Sequence, residues 1–308
     1  MTVALFTHPA MLSHGVPPGH PERPERLAAV LAALDDLTLD RREAPLAARE
    51  HIARVHPEVY LDALEAAFPG LGEGLTAVDA DTFLTEGTRE AAFRAAGAVV
   101  AAVDHVRAGG AETAFCAVRP PGHHAEPAQS MGFCIFNNIA IGALHALEAH
   151  GLARVAVVDF DVHHGNGTQA VAMKEPRLFF ASTHQSPLYP GTGQAEDRGP
   201  TDNVVNAPLP PGADGVVWRR AMERIVLPAL DAFAPDMIFV SAGFDAHRAD
   251  PLANMALDES DYAWAAQALR TIAAQRCRGH VVSALEGGYD LTALGKSSAA
   301  FVRALGAS

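Results

Sequence analysis

Several features that would indicate a membrane protein or a nucleic-acid-binding protein are missing from this sequence. No stretch of the 308 residues approaches the roughly 18 uninterrupted apolar residues of a membrane span. The first residues, MTVALFTHPAML, lack the basic and long apolar segments of a signal peptide, so we expect a cytoplasmic location and no membrane partner. The formal net charge is -13 and no basic cluster is visible, so we expect no nucleic acid partner.

Cysteine is scarce, and linkers and repeats are absent. Cys116, Cys134 and Cys277 are an odd number at no metal-ligand spacing, which predicts reduced, buried thiols and excludes a cysteine metal site. The chain has 49% hydrophobic residues, no low-complexity segment and no linker long enough to separate domains. We therefore expect residues 1–308 to form a single domain with a large buried core.

What the sequence does contain is a series of continuous apolar runs separated by helical patterns. Continuous rather than alternating apolar strands predict a parallel sheet covered by helices on both faces. The predicted strands are 113–118, 155–161, 178–183, 237–243 and 280–288. The predicted helices are 89–110, 137–150, with Gly151 as its C-cap, and 259–275.

Polar motifs follow four of these runs. They are PPGHH after residue 118, DFDVHHGNG after 158, FDAHRADP after 243 and EGGYD after 285. In parallel sheets, ligands bind beyond the carboxyl ends of the strands. The motifs therefore predict one active site assembled from several strand ends, which also favours a single domain.

The second motif carries a candidate metal site. Asp159, Asp161 and His163 are spaced by two, so they point to the same side as long as the chain stays extended. Asp161 and His163, with Asp245 from another strand end, would give three ligands and an open position for water. Oxygen and imidazole ligands suit Zn²⁺, with Fe²⁺, Co²⁺ and Mn²⁺ as alternatives on ligand type.

The other motifs supply groups for proton transfer and oxyanion binding. His123 and His124 are tandem histidines in a loop fixed by two prolines and a glycine, and imidazole titrates near neutral pH. A carboxylate such as Asp159 would raise the pKa of one histidine, whereas the amide of Asn166 would orient the other without charging it. The phenol of Tyr289 could donate a hydrogen bond to an oxyanion.

Together these residues resemble the histone deacetylase superfamily, most of all its bacterial class II deacetylase and amidohydrolase members. The matching motifs are HPERPER (20–26), RPPGHHA (119–125), MGFCIFNN (131–138), DFDVHHGNGTQ (159–169), PGTG (190–193), SAGFDAHRADPL (241–252) and LEGGYDL (285–291). The resemblance implies the arginase/deacetylase α/β fold, with a central parallel sheet of about eight strands flanked by helices. It also implies a zinc-dependent amidohydrolase that removes acetyl or other acyl groups from lysine ε-amines through metal-activated water, with Fe²⁺ as a possible metal in vivo.

The resemblance also assigns roles to individual residues. Asp161, His163 and Asp245 match zinc ligands, and Tyr289 matches a tyrosine that acts in the transition state. Asn166 stands where class I relatives carry an aspartate, which implies that His124 is less basic than His123, although the general base itself is not assigned. The side chains matching a structural K⁺ site are Asp159, Asp161, His163 and Ser182. The residues matching the substrate tunnel are Gly132, Phe133, Tyr189, Leu252, Gly287 and Gly288, and those matching the rim and exit channel are Asp81 and Arg26.

Other functions remain open at this stage. The expected partner is an acetyl-lysine protein or peptide, or a small acetylated amine such as an acetylpolyamine, and a homo-oligomer is possible. Leu252 stands where polyamine-specific relatives carry a carboxylate, which weighs against the polyamine alternative. A two-manganese ureohydrolase is disfavoured because its bridging carboxylates are missing after His163. A non-catalytic acyl-lysine-binding protein is disfavoured because the ligands and Tyr289 are all present.

Overall fold

Parallel strands alternating with helices form the frame of the molecule. The computed structural model describes residues 2–307; the expected single domain over 1–308 also includes Met1 and Ser308, which lie outside the described residues. The strands are β1 (Val3–Thr7), β2 (Leu39–Glu43), β3 (Thr76–Ala77), β4 (Phe83–Leu84), β5 (Thr113–Cys116), β6 (Val155–Asp159), β7 (Leu178–Gln185), β8 (Val204–Leu209), β9 (Met237–Ala242) and β10 (Val281–Leu285). The main sheet has the order β2-β1-β5-β10-β9-β6-β7-β8 with every pair parallel. The expected α/β fold with about eight parallel strands is confirmed.

Helices cover the sheet because their apolar faces pack on its buried strands. The helices are α1 (Pro24–Ala33), α2 (Arg49–Ile52), α3 (Glu58–Ala67), α4 (Thr88–Arg107), α5 (Asn138–Glu148), α6 (Asn166–Ala172), α7 (Gly215–Ala221), α8 (Leu227–Phe233), α9 (Glu259–Arg276) and α10 (Leu291–Gly306), with a π-helical turn between α7 and α8. Helix α4 packs against α5, and α10 packs against α1 and α9. Within residues 2–307, none of these helices combines the length and apolar character needed to cross a membrane.

The predicted helices occur as α4, α5 and α9, with small shifts at their ends. Helix α9 begins with a reciprocal capping box in which the Asp258 side chain and the Asp261 side chain each accept a backbone N–H of the other. The C-cap of α5 is Ala149, so the assignment of Gly151 as C-cap is wrong. Gly151 instead lies in the following turn with φ of 62°, a left-handed conformation that glycine adopts without strain.

The sheet order brings the polar motifs together. They follow β5, β10, β9 and β6, which are neighbours at the centre of the sheet. The predicted strand 155–161 is two residues too long, since β6 ends at Asp159. The Asp159 carboxylate accepts the N–H of Asp161 at 3.1 Å, and the Asp161 carboxylate accepts the N–H of His163 at 2.9 Å. These side-chain hydrogen bonds replace strand pairing and turn the chain over the end of the sheet.

Candidate metal centre and active site

Three buried side chains converge beyond the ends of β6 and β9. We call Asp161, His163 and Asp245 the strand-end cluster; one ligand atom from each lies within 4.8 Å of the others. The Nδ1 atom of His163 is 3.1 Å from Oδ1 of Asp161 and 3.1 Å from Oδ2 of Asp245. A tetrahedral Zn²⁺ ion with bonds of about 2.0–2.1 Å separates its ligand atoms by about 3.3 Å. The side chains are therefore already close to ligand spacing.

Backbone amides hold the two carboxylates of this cluster in place. The N–H of Val162 donates to Oδ1 of Asp245 at 2.8 Å, and the N–H of Gly287 donates to Oδ2 of Asp161 at 2.7 Å. A Cβ atom at position 287 would overlap both carboxylates, so the close approach of this backbone requires glycine. Backbone amides of the loops after β6 and β10 thus fix the cluster before any ligand binds.

The charges of the strand-end cluster favour a bound cation. Burial would lower the pKa of His163, but its hydrogen bonds to Asp161 and Asp245 raise that pKa to about 10. Burial, and then the charge of Asp161, raise the pKa of Asp245. Two buried carboxylates therefore require a positive charge between them, and a divalent metal ion supplies it with the imidazole in its neutral form. The donor set fits the metal that the motifs predict.

The first tandem histidine lies against a carboxylate. Nδ1 of His123 donates to Oδ2 of Asp159 at 2.9 Å, and both side chains are buried. Burial would lower the pKa of His123, but the charges of Asp159 and Asp161 raise it well above its usual value. Burial also raises the pKa of Asp159 to about 6. In this environment His123 carries a positive charge at neutral pH.

The second tandem histidine lies against an amide. Nδ1 of His124 donates to Oδ1 of Asn166 at 2.8 Å, and the amide is oriented because its Nδ2 donates to Oε1 of Glu126 at 2.9 Å. Burial, then the positive charges of His123 and His163, lower the pKa of His124 well below its usual value. The two adjacent imidazoles therefore hold opposite protonation states at neutral pH, and the neutral one, His124, lines the central cavity.

Tyr289 is held from behind by Arg26. The guanidinium carbon of Arg26 lies 4.8 Å from the centre of the Tyr289 ring, and Nε of Arg26 donates to the carbonyl of Gly288 at 2.6 Å. The N–H of Tyr289 donates to Oδ2 of Asp250 at 2.7 Å. Burial raises the pKa of Tyr289 well above its usual value, so the phenol keeps its proton. Arg26 itself is 1% exposed and lies beneath the tyrosine, away from the cavity mouth.

A narrow cavity of about 230 Å³ leads from the surface to these groups. Its lining residues are Asp81, His124, Gly132, Phe133, His163, Leu188, Tyr189, Leu252 and Tyr289. The Tyr189 ring lies 5.2 Å from that of His124, edge to face. The predicted tunnel residues are thus brought together, except that Gly287 and Gly288 lie behind the wall. Leu188 was not predicted.

The rim of the cavity is built around a strained aromatic residue. Phe133 has φ of 70°, which is uncommon for a residue with a side chain, and such strain often marks functional sites. Its N–H donates to Oγ1 of Thr82 at 3.0 Å, and that hydroxyl donates to Oδ1 of Asp81 at 3.0 Å. Nε2 of His20 lies 3.1 Å from the Asp81 carbonyl, and the His20 ring lies 4.8 Å from the Phe133 ring. The sequence reasoning did not single out His20 or Thr82.

Two of the four residues predicted to surround a structural K⁺ lie opposite each other across the sheet. Ser182 of β7 is directly opposite Asp159 of β6, and both are fully buried. Oγ of Ser182 lies 2.9 Å from Nδ1 of His184. The buried Asp159 carboxylate, shared with His123, is a group that a nearby cation would stabilise.

Two further buried groups support the site and were missed. Oε2 of Glu286 accepts the N–H groups of Gly122 at 2.7 Å and His123 at 3.1 Å, which ties the tandem-histidine loop to the end of β10. Oε1 of Glu22 accepts hydrogen bonds from Arg26 at 3.0 Å and Arg119 at 2.8 Å. Glu22, Arg119 and Glu286 each lie in an otherwise apolar or proline-rich motif. A charged residue in such a motif was the sequence feature that could have identified them.

Comparison with known proteins agrees with this architecture. The histone deacetylase domain family matches residues 20–305. The chain is 43% identical to the histone deacetylase-like amidohydrolase of Pseudomonas aeruginosa over 88% of this chain and 73% of that protein. It is 40% identical to histone deacetylase 14, chloroplastic, of Arabidopsis thaliana over 98% of this chain and 76% of that protein. The crystal structure of the HDA15 HD domain superimposes with a TM-score of 0.92 at 34% identity, covering 99% of this chain and 88% of that one.

The chain therefore belongs to the histone deacetylase family. The expected arginase/deacetylase fold and the expected class of enzyme, a deacetylase or amidohydrolase, are confirmed at this level. Metal dependence is a property of the family, and the described residues include a suitable ligand group in the strand-end cluster.

Proposed function

We propose that this chain is a class II zinc-dependent deacylase that removes acetyl groups from lysine side chains. The observation that carries the proposal is the strand-end cluster at the base of an apolar cavity that also exposes His124 and Tyr289. Asp161, His163 and Asp245 would hold the Zn²⁺ ion, with Fe²⁺ as the alternative. When bound, the ion supplies a Lewis acid that polarises a carbonyl and lowers the pKa of water.

The residues around the strand-end cluster would perform proton transfer and stabilise the developing negative charge. His124 is neutral and lines the cavity, so it takes a proton from the attacking water and returns it to the leaving amine. His123 remains charged beside Asp159 and stabilises negative charge that develops at the base of the cavity. The phenol of Tyr289 donates a hydrogen bond to the carbonyl oxygen as that oxygen becomes negative. Asn166 fixes the ring orientation of His124.

A structural K⁺ ion would support the same loops. The proposed side chains are Asp159, Asp161, His163 and Ser182. Their support is the carboxylate of Asp159, which is fully buried and whose pKa burial raises to about 6. A monovalent cation here would favour the ionised form of that carboxylate.

The shape and lining of the cavity favour an alkyl chain as substrate. Phe133, Tyr189 and Leu252 give it apolar and aromatic walls, which suit the methylene groups of an acyl-lysine. Asp81 lines the cavity and is half-buried, and its carboxylate could accept a substrate backbone N–H or a second ammonium group. The carboxylate is the specific reason to keep an acetylpolyamine as the second candidate.

The test compares both substrates on one preparation. Zinc-loaded protein is assayed for kcat/KM on an acetyl-lysine peptide and on acetylputrescine, with Tyr289→Phe and His124→Ala beside it. We expect higher kcat/KM on the peptide and large losses in both variants. Turnover close to wild type in both variants would refute the mechanism. Asp81→Asn is the matched control: it should weaken the amine substrate more than the peptide if the polyamine alternative is correct.

A further inference from the structure

A second group of metal-binding side chains lies at the opposite end of the sheet from the active site. We propose that Asp104, His145 and His150, which we call the helix cluster, form a second transition-metal site. One ligand atom from each lies within 4.8 Å of the others. Asp104 is in the last turn of α4, His145 is in the last turn of α5, and His150 is in the turn that leads to β6. These elements meet where the strands begin, far from the cavity beyond their ends.

The geometry of the helix cluster suits one ion. Nε2 of His145 and Nε2 of His150 each lie 2.7 Å from the same oxygen, Oδ1 of Asp104. Two imidazole nitrogens and one carboxylate oxygen are a ligand set for Zn²⁺, Co²⁺ or Ni²⁺. Each Nε2 atom needs to move less than an ångström away from Oδ1 of Asp104 to reach the spacing of about 3.3 Å around a tetrahedral ion. The exposed fractions of the Asp104 and His150 side chains, 54% and 25%, leave room for that adjustment.

Metal binding requires the hydrogen atoms of these bonds to move. Nε2 of His145 and Nε2 of His150 each donate to Oδ1 of Asp104, so each Nε2 carries the ring hydrogen. On His145 that hydrogen can move to Nδ1, which is buried and has no partner among residues 2–307. Binding would therefore replace these hydrogen bonds with bonds to the ion.

Two buried ring nitrogens in or beside the helix cluster have no hydrogen-bond partner among residues 2–307. His145 is 5% exposed, and its Nδ1 atom has no hydrogen-bond partner among residues 2–307. Nδ1 of His51 is likewise buried and unpartnered in that part of the chain, and its ring lies 5.2 Å from the ring of His145. Hydrogen bonding within the fold rarely leaves buried ring nitrogens unpaired. Imidazole nitrogens beside the helix cluster are therefore not used by the hydrogen bonding of the fold.

The charges around the helix cluster determine how tightly it should bind a metal ion. Asp104 is its only carboxylate, whereas the strand-end cluster has two. The positive charge of Arg54 also acts on His145 and lowers its pKa, and the same charge opposes a cation. We therefore expect weaker binding here than at the strand-end cluster. A bound ion would tie the end of α4 to the connection between α5 and β6, so it would stabilise the fold without touching the cavity.

The test is a difference in metal content between variants of the full chain, prepared without a histidine tag. Zn²⁺ bound at equilibrium is measured by dialysis and elemental analysis for wild type and His150→Ala. We expect wild type to bind one equivalent more than His150→Ala, with equal kcat/KM. His105→Ala is the matched control: His105 follows Asp104 on α4, but its ring contacts Phe6 instead. It should bind as many equivalents as wild type.

A second variant keeps the result decisive. Asp104→Asn preserves the shape of the side chain and removes its charge, and it should also lose the extra equivalent. If wild type, His150→Ala and Asp104→Asn bind the same number of equivalents while circular dichroism shows all three folded, the site does not exist. Because all variants share the strand-end cluster, this outcome says nothing against the proposed deacylase. Loss of deacylase activity would equally leave the difference in metal content intact.

Discussion

The strand-end cluster and the helix cluster use the same types of side chain but hold them in different ways. In the strand-end cluster, backbone N–H groups of Val162, His163 and Gly287 fix both carboxylates, and every ligand is buried. In the helix cluster, the hydrogen bonds to the carboxylate come from side chains, and Asp104 is largely exposed. Loops at strand ends can point backbone amides inward, whereas amides within helices are already paired. Only the first arrangement is organised in advance for catalysis.

The largest expected effect on activity comes from removing a carboxylate of the strand-end cluster, and the same change in the helix cluster should have no effect on activity. Asp245→Asn removes one of the two carboxylates that balance a divalent ion, so it should abolish turnover of an acetyl-lysine peptide and lower the bound Zn²⁺ by one equivalent. The reciprocal variant, Asp104→Asn, should lose an equivalent while kcat/KM is unchanged. Activity and metal content are measured on the same samples. Wild-type turnover by Asp245→Asn would mean that the strand-end cluster is not the reaction centre.

The next effect concerns a histidine beside the strand-end cluster. His124→Ala removes the imidazole that we propose transfers the proton, and general acid–base groups contribute about 10²–10⁴-fold to rates. We expect a loss of that size in kcat with little change in KM, measured by steady-state kinetics on an acetyl-lysine peptide. His150→Ala, which removes a histidine from the helix cluster, is the control and should show no loss. Equal losses in both variants would contradict the division of roles between the clusters.

Tyr289→Phe should have a somewhat smaller effect. It removes one hydrogen-bond donor to a developing oxyanion, and such a loss costs about 10²–10³ in rate. The ring remains over Arg26, so we expect the fold and the Zn²⁺ content to be unchanged. Single-turnover kinetics with zinc-loaded protein measures the effect. A loss that appeared in KM alone would show that the phenol binds the ground state and the transition state equally.

The sequence motifs named side chains that the fold brings together, whereas the strands of the framework were identified less completely. The proposed ligands and the partners of His123 and His124 lie within short motifs, so their spacing could be recognised in the sequence. The strands at the two edges were missed for physical reasons: β2 (LDRRE) is polar and β8 contains Pro208, both of which are tolerated at sheet edges. The turn after Asp159 was missed because carboxylates that accept backbone N–H groups end a strand without glycine or proline.

The supporting network could not be predicted because it depends on contacts between distant parts of the chain. Arg26 donates to the carbonyl of Gly288, which is 262 residues away, and Arg119 donates to Glu22, which is 97 residues away. The motifs identified Arg26, but its burial and its hydrogen-bond partners are known only when the fold shows what surrounds it. The helix cluster has the same property, since Asp104 and His145 belong to different helices and no local spacing joins them.

The smallest expected effect concerns a buried histidine with no role in either cluster. His56 has both nitrogens paired: Nδ1 donates to the carbonyl of Pro127 at 3.0 Å, and Nε2 accepts the N–H of Asn137 at 2.9 Å. Burial lowers its pKa from 6.5 to about 4. The folded state therefore binds fewer protons than the unfolded state between these values, and the stability contributed by His56 is lost as the pH falls from 6.5 towards 4.

This loss can be isolated by urea unfolding at two pH values. Between about pH 7 and about pH 5.5, His56 should account for a decrease of about 1 kcal/mol in the free energy of unfolding. In His56→Gln the decrease should be smaller by that amount, and the bound Zn²⁺ should stay at the wild-type level because a fully paired imidazole offers no free ligand atom. A decrease as steep as that of wild type would show that His56 becomes charged without cost. A drop in bound Zn²⁺ would show that a histidine with both ring nitrogens hydrogen-bonded can still bind the metal.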